Sequence, residues 1–87
     1  MTNYEQLQAE AQKTKELVTQ AVITLPYDAL ELSDMKNIKK LAEAVDEAVK
    51  MTEGRTEDRR EESARINLQY VKRYNQQLME IISFYNY

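Results

Sequence analysis

The sequence predicts an all-α protein, either a three-helix bundle or a helical hairpin with an added N-terminal helix, that oligomerises through its long C-terminal helix. The 87 residues include one Pro and one Gly, and the chain is rich in Ala, Glu, Lys, Gln and Leu, which favour helix. Apolar residues also recur at steps of three and four. A chain this short forms one small domain, residues 1–87, whose core is marginal, so self-association is the expected source of further burial.

The first helix is predicted over residues 3–24, because a proline at position 26 disfavours helical dihedral angles in the residue before it. Thr2 or Asn3 is a suitable cap for its start. The inward positions follow the narrow seam of a coiled coil, and they are Tyr4, Leu7, Ala11, Thr14, Val18, Ala21 and Leu25.

The segment between the first two helices predicts a crossover rather than a flexible linker. Pro26 is suited to open one short helical turn. Tyr27, Leu30 and Leu32 offer apolar side chains that anchor the crossover to the bundle.

The second helix is predicted over residues 33–53, with Ser33 or Asp34 as its cap. Gly54 is expected to end it in the left-handed conformation. One arc of this helix is apolar and the opposite arc is charged; the apolar arc holds Met35, Ile38, Leu41, Ala42, Val45, Ala48 and Val49.

The third helix is predicted over residues 56–85, capped by Thr56 and followed by two acidic residues that suit the positive end of the helix dipole. Glu61 and Arg65 lie four apart and support the exposed first turns. A continuous rod through Gly54 is the alternative, but the new cap and acidic turn favour a hairpin. The inward seam consists of Ala64, Leu68, Val71, Asn75, Leu78, Ile82 and Tyr85.

Apolar residues cover more than half of the circumference of the third helix, whereas a helix with one neighbour needs a stripe of about 100°. It therefore needs two or more neighbours. Asn75 in this apolar seam indicates either an Asn pair across a symmetric interface or a contact with a neighbouring helix. The predicted interface consists of Tyr70, Tyr74, Asn75, Leu78, Ile81, Phe84 and Tyr85.

The net charge of −3 argues against a general nucleic-acid binder. Residues 1–53 carry six bases and ten acids, whereas residues 54–87 carry six bases and five acids. Only residues 54–87 have a charge balance that favours binding an anion. The carboxylates interleaved with the basic residues there favour the alternative, a solvated charged surface. A possible anion site is formed by Arg59, Arg65, Lys72 and Arg73.

The chain has no His and no Cys, which excludes the common zinc frameworks, disulfides, thiol nucleophiles and histidine acid–base centres. No catalytic or metal-ligand motif is present, so we expect neither an enzyme nor a metal nor another cofactor. The N-terminal residues show no secretory signal, and no run of about 20 apolar residues is present. We expect a cytoplasmic protein without a membrane partner.

These observations predict a small module that binds itself and another protein. Two alternatives use other surfaces. One is a regulator or scavenger that holds a nucleotide or nucleic acid between protomers, with the basic residues and a Tyr face. The other is an acidic, phage-type inhibitor of a nucleic-acid-binding protein that uses the carboxylates of residues 43–62.

Overall fold

The structure, a computed structural model, describes residues 1–24 and 32–85. Within these ranges the chain forms three helices and no strand: α1 (Asn3–Thr24), α2 (Leu32–Glu53) and α3 (Glu57–Tyr85). The predicted all-α fold is confirmed, and each helix begins and ends within one residue of its predicted position. The bundle measures 46 × 21 × 17 Å. No helix in the described part of the chain is long and apolar enough to cross a membrane.

Two predictions about the connection between α1 and α2 have different outcomes. The crossover residues Leu25, Pro26, Tyr27 and Leu30 lie outside the described residues. The second helix begins at Leu32, one residue earlier than predicted. Its predicted caps, Ser33 and Asp34, therefore lie inside its first turn.

The start of α1 is held by two carboxylates. Thr2 and Glu5 form a capping box, in which the Glu5 backbone N–H donates to Thr2 Oγ1 at 3.1 Å and the Thr2 backbone N–H donates to the Glu5 carboxylate at 3.4 Å. Glu61 of α3 accepts the backbone N–H groups of Asn3 and Tyr4 at 2.9 and 3.0 Å. Glu61 therefore caps α1 across the bundle, a role beyond its predicted pairing with Arg65.

The turn between α2 and α3 confirms the hairpin and corrects the prediction for Gly54. No glycine has a positive φ angle, so Gly54 is not left-handed. Its N–H instead continues the helical pattern to the Lys50 carbonyl at 3.0 Å, and the Arg55 N–H then bonds the Thr52 carbonyl at 3.1 Å. The second bond spans three residues instead of four, so it tightens the last turn and ends the helix. Thr56 precedes α3 as predicted, and its carbonyl accepts the first helical bonds.

Replacing Gly54 with alanine should raise the free energy of unfolding by about 0.4–1 kcal/mol, because alanine restricts the unfolded chain without straining this backbone. A Cβ atom would lie 3.5 Å from the Lys50 carbonyl oxygen and 3.8 Å from that of Met51, which are ordinary contacts. Urea denaturation measures the change. Gly54→Pro is the matched comparison, and it should destabilise because it removes the donor to Lys50. A destabilising Gly54→Ala would contradict the geometry.

The core follows the predicted seams and divides into two apolar clusters. The six buried residues of α3 are all predicted seam positions: Ala64, Leu68, Val71, Asn75, Leu78 and Ile82. The first cluster joins Leu7 of α1 to Val45, Ala48, Ala64 and Val71. The second joins Ala21 to Ile38, Leu78 and Ile82. The inward sides of all three helices therefore meet as their periodicity predicts.

Polar groups near the α2–α3 turn also lie inside the bundle. Thr52 is fully buried, and its hydroxyl donates to the Ala48 carbonyl at 3.0 Å. Asn67 Nδ2 donates to Thr52 Oγ1 at 2.9 Å and to Ser63 Oγ at 3.2 Å. Because these groups satisfy one another, the polar side chains can be accommodated where the two helices come together.

Tyr4 joins the other two helices at the same end of the bundle. Its hydroxyl donates to the Glu53 carboxylate at 3.1 Å, and the Arg60 guanidinium lies 5.2 Å from the centre of its ring, within the range of a cation–π contact. Desolvation and the Glu53 carboxylate raise the pKa of the Tyr4 hydroxyl. A tyrosine hydroxyl is protonated at neutral pH even with its ordinary pKa of about 10, so Tyr4 can donate to Glu53 there, and the raised pKa keeps this donor at higher pH.

Candidate protein-interaction surface on the third helix

One side of α3 remains exposed after its seam has filled the core. Ile66 is 46% exposed, Tyr70 48% and Phe84 64%, and Gln77 is exposed between them. At 100° per residue these four positions lie within about 40° of one another around the helix. We call Ile66, Tyr70, Gln77 and Phe84 the outer stripe of α3.

A groove between α2 and α3 runs beside the outer stripe. Its middle is lined by Ala44, Ala48 and Met51 from α2 and by Tyr70 and Tyr74 from α3. The two alanines are short, so the helix–helix boundary stays open and the larger side chains form its walls. Met51 is 53% exposed here. The groove therefore offers apolar surface with aromatic edges.

Further along α3, a second depression between α2 and α3 is lined by a pair of aromatic rings, Phe84 and Tyr85. The Tyr85 hydroxyl donates to the carboxylate of Asp34 in the first turn of α2. The Phe84 ring meets the Tyr85 ring edge to face, with centroids 5.1 Å apart and an interplanar angle of 84°, a preferred aromatic geometry. Tyr85 thus anchors the last turn of α3 on α2 and supports Phe84, which projects into solvent.

The seven predicted interface residues fall into three groups. Tyr70 and Phe84 are exposed on the outer stripe. Three others are half-buried and pack against the core: Tyr74 on the first cluster, and Ile81 and Tyr85 on the second. The last two, Asn75 and Leu78, are 2% and 0% exposed. These two lie inside the chain's own bundle and offer no surface to a partner, so the interface prediction is corrected at both positions.

Asn75 bonds with α1 and not across a symmetric interface. Its Oδ1 accepts the hydroxyl of Thr14, and its Nδ2 donates to the Glu10 carbonyl at 3.0 Å and to the Glu10 carboxylate at 2.9 Å. The amide thus has partners on both its atoms. Of the two alternatives predicted for Asn75, the contact with a neighbouring helix is the one observed.

The four basic residues of the predicted anion site are all exposed but do not converge. Arg59 and Arg73 lie on the side of the outer stripe, fourteen residues apart, which is about 21 Å along a helix. Arg65 and Lys72 lie on another side, more than about 80° away around the axis. Arg59 shares a surface depression with Arg55 and the Glu62 carboxylate. One chain therefore does not gather these cations into a single site.

Some exposed apolar residues were not predicted as interface. Met51 and Met79 are half-exposed, and Val22 and Ile23 near the end of α1 are 66% and 74% exposed. Val22 borders a second apolar groove with Met35 of α2. The signal in the sequence was weak, because Val22, Met51 and Met79 lie at the edge of an apolar arc rather than at its centre, and Ile23 lies on the side of α1 opposite the seam.

In the described part of the chain, no group of three or more acidic side chains is placed to hold a metal ion. Glu43 and Glu47 are exposed on the outer side of α2. Comparisons with known protein families, with curated proteins and with solved structures find no match to this chain. Its function is therefore inferred from its own surface.

Proposed function

We propose that this protein is a small cytoplasmic interaction module that forms a homo-oligomer and binds a partner protein by surface complementarity, without catalysis. The contact surface is the outer stripe of α3 with the adjacent α2–α3 groove. The supporting observation is the exposure of Tyr70 and Phe84 at 48% and 64% on a helix whose opposite side already fills the core.

Two features make this surface suitable for binding. Aromatic side chains dominate the binding energy of many protein interfaces, and they bind best beside a pocket that excludes water. Tyr70 stands on the wall of the groove, and Phe84 is held by its contact with Tyr85. Because Phe84 is already supported, less conformational entropy is lost when a partner binds it.

The mass in solution tests this proposal. In sedimentation experiments we expect the purified protein to have a mass of at least twice the 10.3 kDa of one chain. The double variant Tyr70→Ala with Phe84→Ala should sediment as a monomer with unchanged helicity, because both rings lie outside the core clusters. Tyr74 is left intact because it packs against the first core cluster, and its removal would also weaken the fold.

Met79→Ala is the matched control for this experiment. Met79 lies on the same helix and is 46% exposed, but it points away from the outer stripe, so its loss should leave the mass unchanged. A wild-type chain that stays monomeric at high concentration would refute assembly. An unchanged mass in the folded double variant would refute this surface.

Ionic strength separates protein assembly from the nucleotide alternative. An interface built on buried aromatic rings should respond weakly to salt, whereas binding through several phosphates weakens steeply as salt rises. We expect the self-association constant to change less than about threefold between 50 and 500 mM NaCl, measured by sedimentation. A steep loss of binding to an oligonucleotide over this range would favour the alternative.

A further inference from the structure

We propose that the second copy of the chain binds antiparallel along the outer stripe of α3, with the two-fold axis at Gln77. This inference rests on the proposed function and adds the partner's identity and orientation. It follows from the order of the side chains along α3.

Three lines of residues with a seven-residue spacing run along this side of α3. Tyr70, Gln77 and Phe84 form the middle line and are all exposed. Tyr74 and Ile81 form the line next to α2. The third line, on the other side of the middle line, carries a base followed by an acid, Arg73 and Glu80, and Glu80 also borders a depression between α2 and α3. Seven residues make nearly two turns, about 10.5 Å, so each line is nearly parallel to the helix axis.

With a two-fold axis at Gln77, each residue of one copy lies opposite a residue of the other copy. The two paired residues are the same number of positions from Gln77, one before it and one after it. Tyr70 of one copy then faces Phe84 of the other, because both lie seven residues from the axis. This pairing occurs twice, and the two Gln77 side chains meet at the centre, where each amide can donate to and accept from the other. Both copies thus use the same surface, as a closed dimer requires.

The charges favour the antiparallel orientation over the parallel one. Arg73 lies four residues before Gln77 and Glu80 three residues after it, so an antiparallel pair places Arg73 of each copy beside Glu80 of the other. A parallel pair would instead place the line of Arg73 and Glu80 beside the line of Tyr74 and Ile81 of the other copy, so neither charge would meet an opposite charge. Opposite charges that meet across an interface favour the orientation that brings them together.

A single introduced cysteine tests this geometry directly, because the chain has no Cys of its own. Gln77→Cys places two thiols at the axis, and mild oxidation should link most of the chain as a disulfide dimer on a non-reducing gel. Gln76→Cys is the matched control: its side chain lies about 100° further round the helix, so it should link at least tenfold more slowly.

Charge reversal provides a second, independent readout. Arg73→Glu and Glu80→Arg should each raise the dimer dissociation constant by about tenfold, because each creates two like-charge contacts. The double variant Arg73→Glu with Glu80→Arg restores opposite charges and should recover the wild-type constant. Circular dichroism checks that each variant is folded.

The outcomes distinguish the two proposals. A wild-type monomer overturns both. A dimer that dissociates in the Tyr70→Ala and Phe84→Ala variant, but in which Gln77→Cys links no faster than Gln76→Cys, overturns the antiparallel geometry alone. The antiparallel pair brings position 70 of one copy next to position 84 of the other, and keeps the two positions 70 apart. The geometry is therefore also overturned if two Tyr70→Cys chains form a disulfide as readily as a Tyr70→Cys chain does with a Phe84→Cys chain.

Discussion

Replacing Asn75 with aspartate should lower the free energy of unfolding at pH 7 by about 3–5 kcal/mol, the usual effect of an unpaired buried charge. The side chain keeps its size but loses its N–H donors. Asn75 is 2% exposed, and its Nδ2 lies 2.9 Å from the Glu10 carboxylate. The substitution therefore sets two carboxylates against each other where water has little access.

This loss should depend on pH. Burial and the Glu10 charge raise the pKa of the introduced carboxyl in the folded state above its unfolded value of about 3.9. The folded state then binds more protons than the unfolded state, so stability falls as pH rises through the folded pKa and the penalty disappears below the unfolded pKa. Urea denaturation of both proteins at pH 7 and at pH 4 measures the difference.

Asn75→Leu is the control for this prediction. Leucine has a similar size and also removes the hydrogen bonds, but it adds no charge. Its effect should be the same at both pH values, and it should be smaller at pH 7, because the Thr14 hydroxyl retains a bond to the Glu10 carbonyl at 3.1 Å. If Asn75→Asp lowers the free energy of unfolding by the same amount as Asn75→Leu, both at pH 7 and at pH 4, then Asn75 does not contact the Glu10 carboxylate as the structure shows.

Replacing Leu78 with alanine should lower the free energy of unfolding by about 2–5 kcal/mol. Leu78 is fully buried and packs with Ala21 of α1, Ile38 of α2 and Ile82. Because this cluster joins residues of all three helices, truncation of Leu78 leaves a cavity that no single helix can close. A domain of this size has a total stability of roughly 4–13 kcal/mol, so the variant should be substantially unfolded in mild urea.

Met79→Ala is the neighbouring comparison. Methionine and leucine have similar volumes, but Met79 is 46% exposed, so its truncation should cost about 1 kcal/mol or less. The midpoint of urea denaturation measures both variants. A similar effect at positions 78 and 79 would mean that Leu78 is not the core residue the structure places there.

The core of α3 could be predicted from the sequence because helical periodicity is local. Steps of three and four residues bring side chains to one side of a helix whatever lies around it. The spacing of Ala64, Leu68, Val71 and Leu78 was therefore sufficient to mark them as inward. The same spacing does not tell a core from an interface, and this is why Leu78 was predicted to contact a partner.

The functions of individual polar residues were harder to predict, because their partners lie far away in the chain. Glu61 caps the backbone of Asn3 and Tyr4, more than fifty residues earlier in the sequence. Asn75 is satisfied by Glu10 and Thr14 across the bundle. Local sequence shows that such a group needs a partner, but not which partner the packing of the helices brings to it.

The candidate surface was predicted in part. The sequence indicated that α3 has more apolar surface than two neighbours can cover, and it named Tyr70 and Phe84. The structure added that Ala44 and Ala48 leave a groove beside them and that Tyr85 is tied to Asp34. These details depend on where α2 lies relative to α3, and periodicity within one helix carries no information about that.

By itself, the sequence determined that the residues described in the structure form three helices, the ends of these helices to within one residue, and which sides face inward, because each of these depends on neighbours within a few turns. Only the tertiary structure decided that Asn75 bonds to α1, and that Tyr70 and Phe84 remain exposed while Leu78 does not. Those outcomes depend on contacts between helices, which form only when the whole bundle packs.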